Sequence, residues 1–430
     1  MNPTASFQCP RIVPVAGLLA ALWAGGPPSP AAADTLLIVN STADTVAVDN
    51  VLTLREAALH ARRSGIFEDG SVGISCLTTA EWDQMWGDIK NCVDLASPTL
   101  PGCVHNPLID GPRWAFRNGC FAPEMGPGLG LNFADTIQFD PAIASVPIPG
   151  DLWVFRRDRL DGARAGGGRV ALVASSAPAN APGLVVKRGT YVPSLEPFQI
   201  VVENLEISGF PGDCILAQAP AESTFRNLLL HGCGRHGLAL VPEAAHGRNP
   251  FQNQIGGGAG LGNEIRDNAQ WGIYAEVNPA FGTGSALNRF EGNRVGWSAT
   301  DPGGAHGNDA ADLAIVNARG NIVGTTDPAY GNRLSGNGGA GLLLYGSEAR
   351  ENAVFGNFVG LVDSSGLWQA KANGEGIALD AGAHDNQIGG TAAGSGNFVS
   401  LNLGAGMRLA NNSDSNLVRA NWIGLAPNGT

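Results

Sequence analysis

The second half of the chain consists of short apolar segments enclosed between asparagines and glycines. Between residues 251 and 430, four residues with an apolar centre repeatedly separate two asparagines, as between Asn263 and Asn268. Four extended residues span roughly 13 Å, and both asparagine and glycine tolerate the left-handed backbone of a sharp corner. The pattern therefore predicts short β-strands that are separated by corners.

Three motifs of this kind recur with one period of 64 to 69 residues. The first has two asparagines five residues apart and an apolar residue five positions later: Asn263, Asn268 and Ile273; Asn332, Asn337 and Leu342; Asn397, Asn402 and Met407. The second has copies 64 residues apart: Asn288, Asn293 and Gly296; Asn352, Asn357 and Gly360; Asn416, Asn421 and Gly424. The third begins at Asn253, Asn321 and Asn386. A shared long period indicates an internal structural repeat.

Short strands in long-range register favour a solenoid, in which each coil lies over the one before it. A propeller is the alternative, but its blades of ~40–50 residues do not match the period. Each repeat unit has room for two or three coils, and we favour two. Stacked coils would superimpose Asn293, Asn357 and Asn421, so that their amides form a hydrogen-bonded column.

The segment that precedes the repeats has the pattern of a cap. Four apolar residues follow helical spacing: Leu54, Ala57, Ala58 and Ala61. Thr53 and Glu56 form a capping box, and Gly65 is a suitable helix end. A cap is needed because an uncovered solenoid end exposes its core and unpaired backbone. Residues 66–130, with four cysteines, predict a disulfide-stapled insertion near this cap.

Composition excludes several classes of protein. The 61 glycines in 430 residues, with only 15% charged residues, exclude a coiled coil or helical bundle. The formal net charge of −12 leaves no basic field for phosphate groups, so we expect no nucleic-acid partner.

The first 33 residues have the pattern of a secretory signal peptide. Arg11 precedes an apolar run from Ile12 to Trp23, and three alanines at 31–33 form a small-residue cleavage site. The run is too short to span a membrane, and no other stretch approaches ~18 apolar residues. We therefore expect an exported protein, whether secreted, periplasmic or at the cell surface, without a transmembrane segment in the mature chain.

Six cysteines remain after the signal segment: Cys76, Cys92, Cys103, Cys120, Cys214 and Cys233. An even number in an exported chain predicts disulfides, and proximity favours a Cys214–Cys233 pair together with pairs among the first four. The alternative of a zinc site lacks the close pairs of cysteines that such sites use.

From residue 198 onward, the repeats resemble those of the right-handed parallel β-helix proteins of the pectate-lyase-like superfamily, above all exported bacterial chains with Asn-x-Ile-Gly-Gly repeats. Residues 39–44 and 52–57 are similar to the CSLREA module that precedes such helices, although Leu52 and Thr53 replace its Cys-Ser. Residues 135–141 resemble the strand that opens the helix. The resemblance implies an all-β, right-handed parallel β-helix with an N-terminal capping segment that contains a short helix.

The expected organisation has three parts. Residues 1–33 are the signal peptide, residues 34–135 the CSLREA-like cap with its cysteine-containing insertion, and residues 136–430 the β-helix. The last motif ends at Gly424, so we expect further coils or a partner chain to cover the C-terminal end.

Motifs for cofactor, metal or nucleotide chemistry are absent from the sequence, and we predict no cofactor and no metal site. Gly256, Gly257 and Gly258 precede no helical pattern, which argues against a nucleotide loop. The weak catalytic candidates form a cluster on consecutive predicted coils: Asp213, His231, Arg235 and His236. Asp213 and His236 would approach each other if those coils stack, and such a pair could perform acid–base chemistry on a sugar. Corner or surface roles are the preferred interpretation.

Other candidates are weaker. A second cluster contains four residues of the last third of the chain: Glu375, Asp380, His384 and Asp385. Glu276 and Asp380 share a repeat position, but separate coils would keep their carboxylates apart. Asp309 and Asp312 are expected to be solvated turn residues. Four tryptophans occupy different motif positions and predict no regular aromatic stripe: Trp271, Trp297, Trp368 and Trp422.

Two hypotheses about function follow. The first is a non-catalytic surface or extracellular protein with a structural, adhesive or glycan-binding role, whose partner is an extracellular polysaccharide or a cell-surface glycan. The second is a polysaccharide lyase or glycoside hydrolase, which rests on fold analogy alone.

Overall fold

A computed structural model describes residues 35–43, 53–54, 57–58, 75–76, 114–117, 120–123, 135–154, 158–187, 199–258, 260–282, 286–301, 303–304, 306–364, 367–425 and 427. The predicted signal peptide, residues 1–33, lies outside these ranges. The signal peptide, the export that it implies and the three-part division of the chain stay predictions.

Four strands precede the coils: β1 (Thr35–Val39), β2 (Ser75–Cys76), β3 (Trp114–Arg117) and β4 (Cys120–Pro123). Strands β2, β4 and β3 form a small antiparallel sheet in which Cys76 lies opposite Cys120. Residues 54, 57 and 58 are helical, and the N–H of Ala57 donates to the carbonyl of Thr53 at 3.0 Å. Leu54 and both alanines join the core, as their spacing predicted. Ala61, Glu56 and Gly65 of the predicted helix, and Cys92 and Cys103, lie outside the described residues.

The solenoid begins with five coils of three strands each. In chain order these are β5 (Asp135–Phe139), β6 (Ser145–Ile148), β7 (Leu152–Val154); β8 (Arg159–Asp161), β9 (Val170–Ala174), β10 (Leu184–Lys187); β11 (Val201–Glu203), β12 (Leu205–Ser208), β13 (Ile215–Gln218); β14 (Thr224–Arg226), β15 (Leu229–His231), β16 (Leu238–Val241); β17 (Gln254–Gly256), β18 (Glu264–Arg266), β19 (Ile273–Glu276).

Four further coils and two strands of another follow, and one of them carries a hairpin. The strands are β20 (Arg289–Glu291), β21 (Arg294–Val295), β22 (Leu313–Val316); β23 (Ile322–Gly324), β24 (Arg333–Leu334), β25 (Ala340–Tyr345); β26 (Ala353–Phe355), β27 (Phe358–Val359), the hairpin β28 (Leu361–Ser364) and β29 (Leu367–Ala370), β30 (Glu375–Asp380); β31 (Gln387–Ile388), β32 (Phe398–Val399), β33 (Met407–Leu409); β34 (Leu417–Val418), β35 (Trp422–Ile423). In the described part of the chain, four 3₁₀ turns lie between strands: Ala165–Gly167, Ala244–His246, Pro279–Phe281 and Pro328–Tyr330.

Equivalent strands of successive coils pair in parallel and form three sheets. The first sheet has eleven strands, from β1 and β5 to β34; the second has ten, from β6 to β35; the third has nine, from β7 to β33. This is the predicted parallel β-helix. Arg289 and Ala353 are 64 residues apart, and both pair with Ile322 of the strand between them. Each 64-residue repeat therefore contains two coils, as we favoured from the sequence.

Apolar side chains stack inside the coils in rows that run through the sheets. One row of the first sheet, each member paired with the next, has 0% exposure: Phe225, Ile255, Phe290, Val323 and Val354. Burial of each such side chain stabilises the fold by about 1.5–3 kcal/mol. The centres of the four-residue segments are thus the interior of the solenoid.

Asparagines form three ladders at the corners, and all of them are buried except Asn402, Asn416 and Asn421 in the last coils, which are half-buried. The first ladder precedes the strands of the first sheet and contains Asn253, Asn288, Asn321, Asn352, Asn386 and Asn416. The second ladder separates the first and second sheets and contains Asn263, Asn293, Asn332, Asn357, Asn397 and Asn421. The third ladder separates the second and third sheets and contains Asn268, Asn308, Asn337, Asn373 and Asn402. In the second ladder, both the backbone N–H and the side-chain amide of Asn332 donate to Oδ1 of Asn357, at 3.1 and 2.9 Å. The predicted column of Asn293, Asn357 and Asn421 is therefore confirmed.

Glycine is required at corners where the next coil comes close. Gly324 ends β23 with φ of 82°, and a Cβ atom there would lie 2.0 Å from the carbonyl oxygen of Phe355. Left-handed φ and this contact together exclude a side chain. The sequence motif of asparagine followed three residues later by glycine therefore has a steric cause.

The last described coil has its core side chains in solvent. Val418 and Ile423, at core positions of their strands, are 40% and 49% exposed. In the described part of the chain, no helix combines the length and apolar character that crossing a bilayer requires.

Candidate functional site

The structure brings Asp213 and His236 together, as coil stacking predicted. Asp213 precedes β13 and His236 precedes β16 in the next coil. The backbone N–H of His236 donates to Oδ1 of Asp213 at 3.2 Å, and the Nε2 atom lies 4.0 Å from the same oxygen. Arg235 Nη1 lies 3.5 Å from Oδ2 of Asp213. The disulfide between Cys214 and Cys233 joins the same two coils and confirms the predicted pair.

Burial controls the electrostatics of this pair. Asp213 is 1% and His236 2% exposed. Burial raises the pKa of Asp213, while Arg235 and the N–H of His236 oppose the rise. Burial and, secondarily, the Arg235 charge lower the pKa of His236 to about 4. The imidazole is therefore neutral at neutral pH.

Two aromatic rings cover the imidazole. The ring centroids of Trp271 and Tyr274 each lie 5.1 Å from that of His236, and 4.7 Å from each other. The backbone N–H of Trp271 donates to Nδ1 of His236 at 3.4 Å. Burial, followed by the charge and hydrogen bond of Glu276, raises the pKa of Tyr274. The stack separates the Asp213–His236 pair from solvent.

His231, the fourth predicted residue, lies on a different face. Its strand β15 belongs to the second sheet, and its Nε2 atom bonds to Oε1 of Glu206 at 3.1 Å. The imidazole of His231 therefore pairs with a neighbouring coil of that sheet and does not join the buried pair of Asp213 and His236.

The second predicted cluster is a surface ion-pair network. Arg408 binds Glu375 at 2.9 Å and Asp380 at 2.9 Å. Hydrogen bonds from Arg408 and then from Asn411 lower the pKa of Asp380. His384 Nε2 lies 3.7 Å from Oδ2 of the adjacent Asp385. Arg408 neutralises Glu375 and Asp380 on the surface, which is the arrangement of a structural ion pair.

One sequence expectation about acidic residues needs correction, and a second is confirmed. Asp312 was expected to be a solvated turn residue, but it is fully buried, because it lies inside the corner between the second and third sheets; Asp309 is exposed. Glu276 and Asp380 lie in one row of the third sheet, separated by Val316 and Tyr345. At about 4.8 Å per strand, the two carboxylates are too far apart for one reaction. Gly256 ends a strand and leads to another, so it belongs to no nucleotide loop.

A regular outward row on the second sheet was missed in the sequence. Its members each follow an asparagine of the second ladder and pair in register: Glu264, Arg294, Arg333, Phe358, Phe398 and Trp422. We call this set the second-sheet row. The sequence expectation of no aromatic stripe is therefore wrong, because it considered tryptophans alone. Aligning the residues that follow the ladder asparagines would have revealed the row.

The C-terminal half of the second-sheet row is a continuous aromatic stack. The centroid distances are 5.3 Å from Phe358 to Phe398 and 5.8 Å from Phe398 to Trp422. Trp368 of the hairpin β28–β29 stacks on Phe358 at 4.8 Å. Phe358 is buried beneath it, whereas Trp422 is 50% exposed.

Beside the aromatic stack, the row has two adjacent cations, Arg294 and Arg333, with Glu264 beyond them. The guanidinium carbon of Arg333 lies 5.2 Å from the ring centroid of Phe358, so charge and aromatic surface are continuous. A cavity of about 190 Å³ opens beside Arg294 and Arg333. Within the described residues, no group of three His, Cys, Asp or Glu side chains is arranged to hold a metal ion.

Comparison with known proteins leaves the family open. No family model matches the chain, and no curated protein sequence matches it significantly. Among solved structures it is similar to the A-module of the mannuronan C-5 epimerase AlgE6 of Azotobacter vinelandii, with 12% identity, 68% of this chain and 91% of that chain covered, and a TM-score of 0.33. The AlgE4 A-module of the same organism gives 13% identity, coverage of 67% and 87%, and a TM-score of 0.29. At these values the likeness has no bearing on the activity of this chain.

Proposed function

We propose that this chain is an exported, non-catalytic β-helix protein that binds a glycan along the outer face of its second sheet. The observation that carries the proposal is the second-sheet row, which places guanidinium groups and stacked aromatic rings in one line across consecutive coils. Sugar rings present C–H faces that pack on aromatic side chains, and their hydroxyl groups accept hydrogen bonds from arginine.

The geometry of the row suits an extended polymer. Successive strands of a sheet lie about 4.7–4.9 Å apart, and the rings of Phe398 and Trp422 keep nearly that spacing, at 5.8 Å. The accessible surface comes from Trp368, Phe398 and Trp422, since Phe358 is covered. A glycan chain lying along the coils would contact the aromatic rings toward the C-terminal end of the row and the guanidinium groups of Arg294 and Arg333 on the other side.

The alternative function, a polysaccharide lyase or glycoside hydrolase, has weaker support. A catalytic acid or base must come within hydrogen-bond reach of the substrate. Asp213 and His236 are almost fully buried, and Trp271 and Tyr274 cover the imidazole. Their hydrogen bonds join coils to each other, which favours a structural role for the pair.

The decisive experiment screens the purified chain on polyuronides and on neutral glycans, with binding and the formation of unsaturated products both monitored. We expect binding without turnover, and Trp422→Ala should weaken binding about tenfold, because an aromatic contact contributes ~1–1.5 kcal/mol. Leu403→Ala is the matched control, since Leu403 is 84% exposed and lies outside the second-sheet row.

Two results would contradict the proposal. The first is turnover that Asp213→Ala or His236→Ala abolishes, which would establish the enzymatic alternative. The second is the absence of binding to every glycan tested, which would leave a structural or adhesive role.

A further inference from the structure

Three arginines converge on the cavity beside the cationic part of the second-sheet row. Arg169 precedes β9, whereas Arg294 and Arg333 belong to the row. The remaining lining consists of five glycines, one alanine, Tyr330 and the amide of Asn227. Among the described residues that line the cavity, none is acidic. The glycines leave the guanidinium groups open to close approach.

Neutral groups hold two of these arginines in position. Arg169 donates from Nε to the carbonyl of Asn227 at 2.8 Å and from Nη2 to Oδ1 of the same residue at 2.6 Å. Arg333 donates from Nη1 to the carbonyl of Gly331 at 3.4 Å and lies over the Phe358 ring. These contacts orient the guanidinium groups without neutralising their charge.

The nearest carboxylates of the same sheet have partners of their own. Glu264 bonds to Arg266 at 3.2 Å, and Glu206 bonds to His231 at 3.1 Å. Burial lowers the pKa of both Arg169 and Arg333, and the charge of Arg294 lowers each further. The negative charges of Glu264 and Glu206 raise the pKa of Arg169, and that of Asp363 raises the pKa of Arg333. Positive charge is thus concentrated at one place on a chain whose net charge is −12.

We infer that this cavity is an oxyanion subsite, which takes one carboxylate or sulfate group of an acidic glycan bound along the second-sheet row. The inference rests on the proposed function and adds the class of ligand. A guanidinium group matches the two oxygens of such an anion with two parallel N–H donors. A cavity of about 190 Å³ accommodates the charged group with a few waters, while the rest of the sugar lies on the row outside it.

Calorimetric titration of the whole chain with paired ligands tests the inference. The ligands are oligogalacturonate, its carboxyl-reduced neutral counterpart, a sulfated heparin oligosaccharide and inorganic sulfate. We expect Arg294→Gln to lower the affinity for the acidic oligosaccharides at least about tenfold and to reduce its salt dependence, while the affinity for the neutral counterpart, which loses only hydrogen bonds to its hydroxyl groups, falls much less. The preference of the subsite for a carboxylate or a sulfate ester is decided by which ligand, oligogalacturonate or the heparin oligosaccharide, loses more affinity in Arg294→Gln.

Two variants serve as references. Arg419→Gln removes an exposed guanidinium group from the first-sheet side and should change nothing. Arg294→Lys keeps the charge but loses the planar pair of donors, so an intermediate loss of affinity is expected. Arg294 is itself exposed, and the fold of its variants is checked by circular dichroism.

The outcomes separate this inference from the proposed function. Equal losses of neutral and acidic binding in Arg294→Gln, or no loss at all, would overturn the subsite while glycan binding stands. Binding of inorganic sulfate without any acidic oligosaccharide would overturn it as well. If wild type binds no glycan, acidic or neutral, the proposed function itself fails.

Discussion

Asp312 occupies a position where neighbouring coils have glycine. It directly precedes β22, as Gly272 precedes β19, and in the next coil the equivalent position is Gly341 inside β25. The carboxylate is fully buried with the side-chain amides of Asn308 and Asn337 beside it, and each of these amides also donates one N–H along the third ladder. Burial therefore raises the pKa of Asp312 well above its usual range, although both amides oppose the rise.

We expect Asp312→Asn to stabilise the protein at neutral pH. Since the pKa of Asp312 is higher in the folded than in the unfolded chain, its contribution is most favourable below the unfolded value of ~3.9 and is lost as pH rises, by about 1.4 kcal/mol per pH unit. Asparagine carries no titrating proton. The gain in unfolding free energy should therefore grow between about pH 4 and pH 7.

Chemical denaturation of both proteins across this pH range measures the gain. Asp309→Asn is the control, because Asp309 is an exposed aspartate on the same loop. A gain that stays constant with pH would show that the carboxyl of Asp312 does not hold a proton in the fold.

The coil is the element that the sequence predicts best. Its corners need glycine where the next coil approaches closely and asparagine where a side-chain amide bonds to that coil, and its interior needs apolar side chains. The left-handed residues directly precede ladder asparagines and vary in type, as at Gln252 and Leu287. These local requirements repeat at every coil, so the period exposes them. Gly324 and Asn357 show the principle, since each is fixed by atoms of the following coil.

The candidate site is less predictable, because it depends on register between residues far apart in sequence. Arg294 and Arg333 follow ladder asparagines, so the repeat could have placed them together. Arg169 comes from an earlier coil whose corners have no ladder asparagine, so the repeat gives no sign that it lines the same cavity. Burial of Asp312 was equally hidden, because its neighbours in sequence are those of an exposed turn.

Each ladder asparagine connects three coils, so removing one should be costly. Oδ1 of Asn357 accepts two N–H groups of Asn332, and its Nδ2 donates to the carbonyl of Val323 and to Oδ1 of Asn397. We expect Asn357→Ala to lower the free energy of unfolding by about 2–4 kcal/mol, because buried donors lose their acceptor.

Thermal and urea denaturation check this value. Gln270→Ala removes an amide from an exposed corner and should change stability by less than about 0.5 kcal/mol. Similar effects of the two substitutions would mean that the ladder is replaceable by water.

At the scale of the whole molecule, the solenoid combines a neutral interior with one distinctive outer face. The chain has an excess of acidic residues, yet the second sheet carries Arg294 and Arg333 in line with aromatic rings. In a repeat architecture, one residue position per coil is enough to build such a continuous line of side chains on the outer face. The same one-dimensional organisation determines how stability is distributed.

In a solenoid, each coil is stabilised mainly by its two neighbours, so stability should vary along the axis. Val323 and Leu334 lie in a central coil and are 0% and 1% exposed, whereas Val418 and Ile423 in the last described coil are 40% and 49% exposed. We expect backbone amides of β23 and β24 to exchange with deuterium more slowly than those of β34 and β35. The N–H groups in both coils are hydrogen-bonded, as from Trp422 to Asn397 at 2.8 Å, so the difference must come from packing.

Hydrogen exchange followed by mass spectrometry measures this gradient, and Asn357→Ala provides an internal test of its cause. If coupling is between nearest neighbours, the substitution should accelerate exchange most in β24 and β31–β32, the strands next to its own coil, and least in the distant β11 and β12. Uniform acceleration from end to end would instead indicate one cooperative unit. In that case the exposed side chains of the last coil would not mark a region of lower stability.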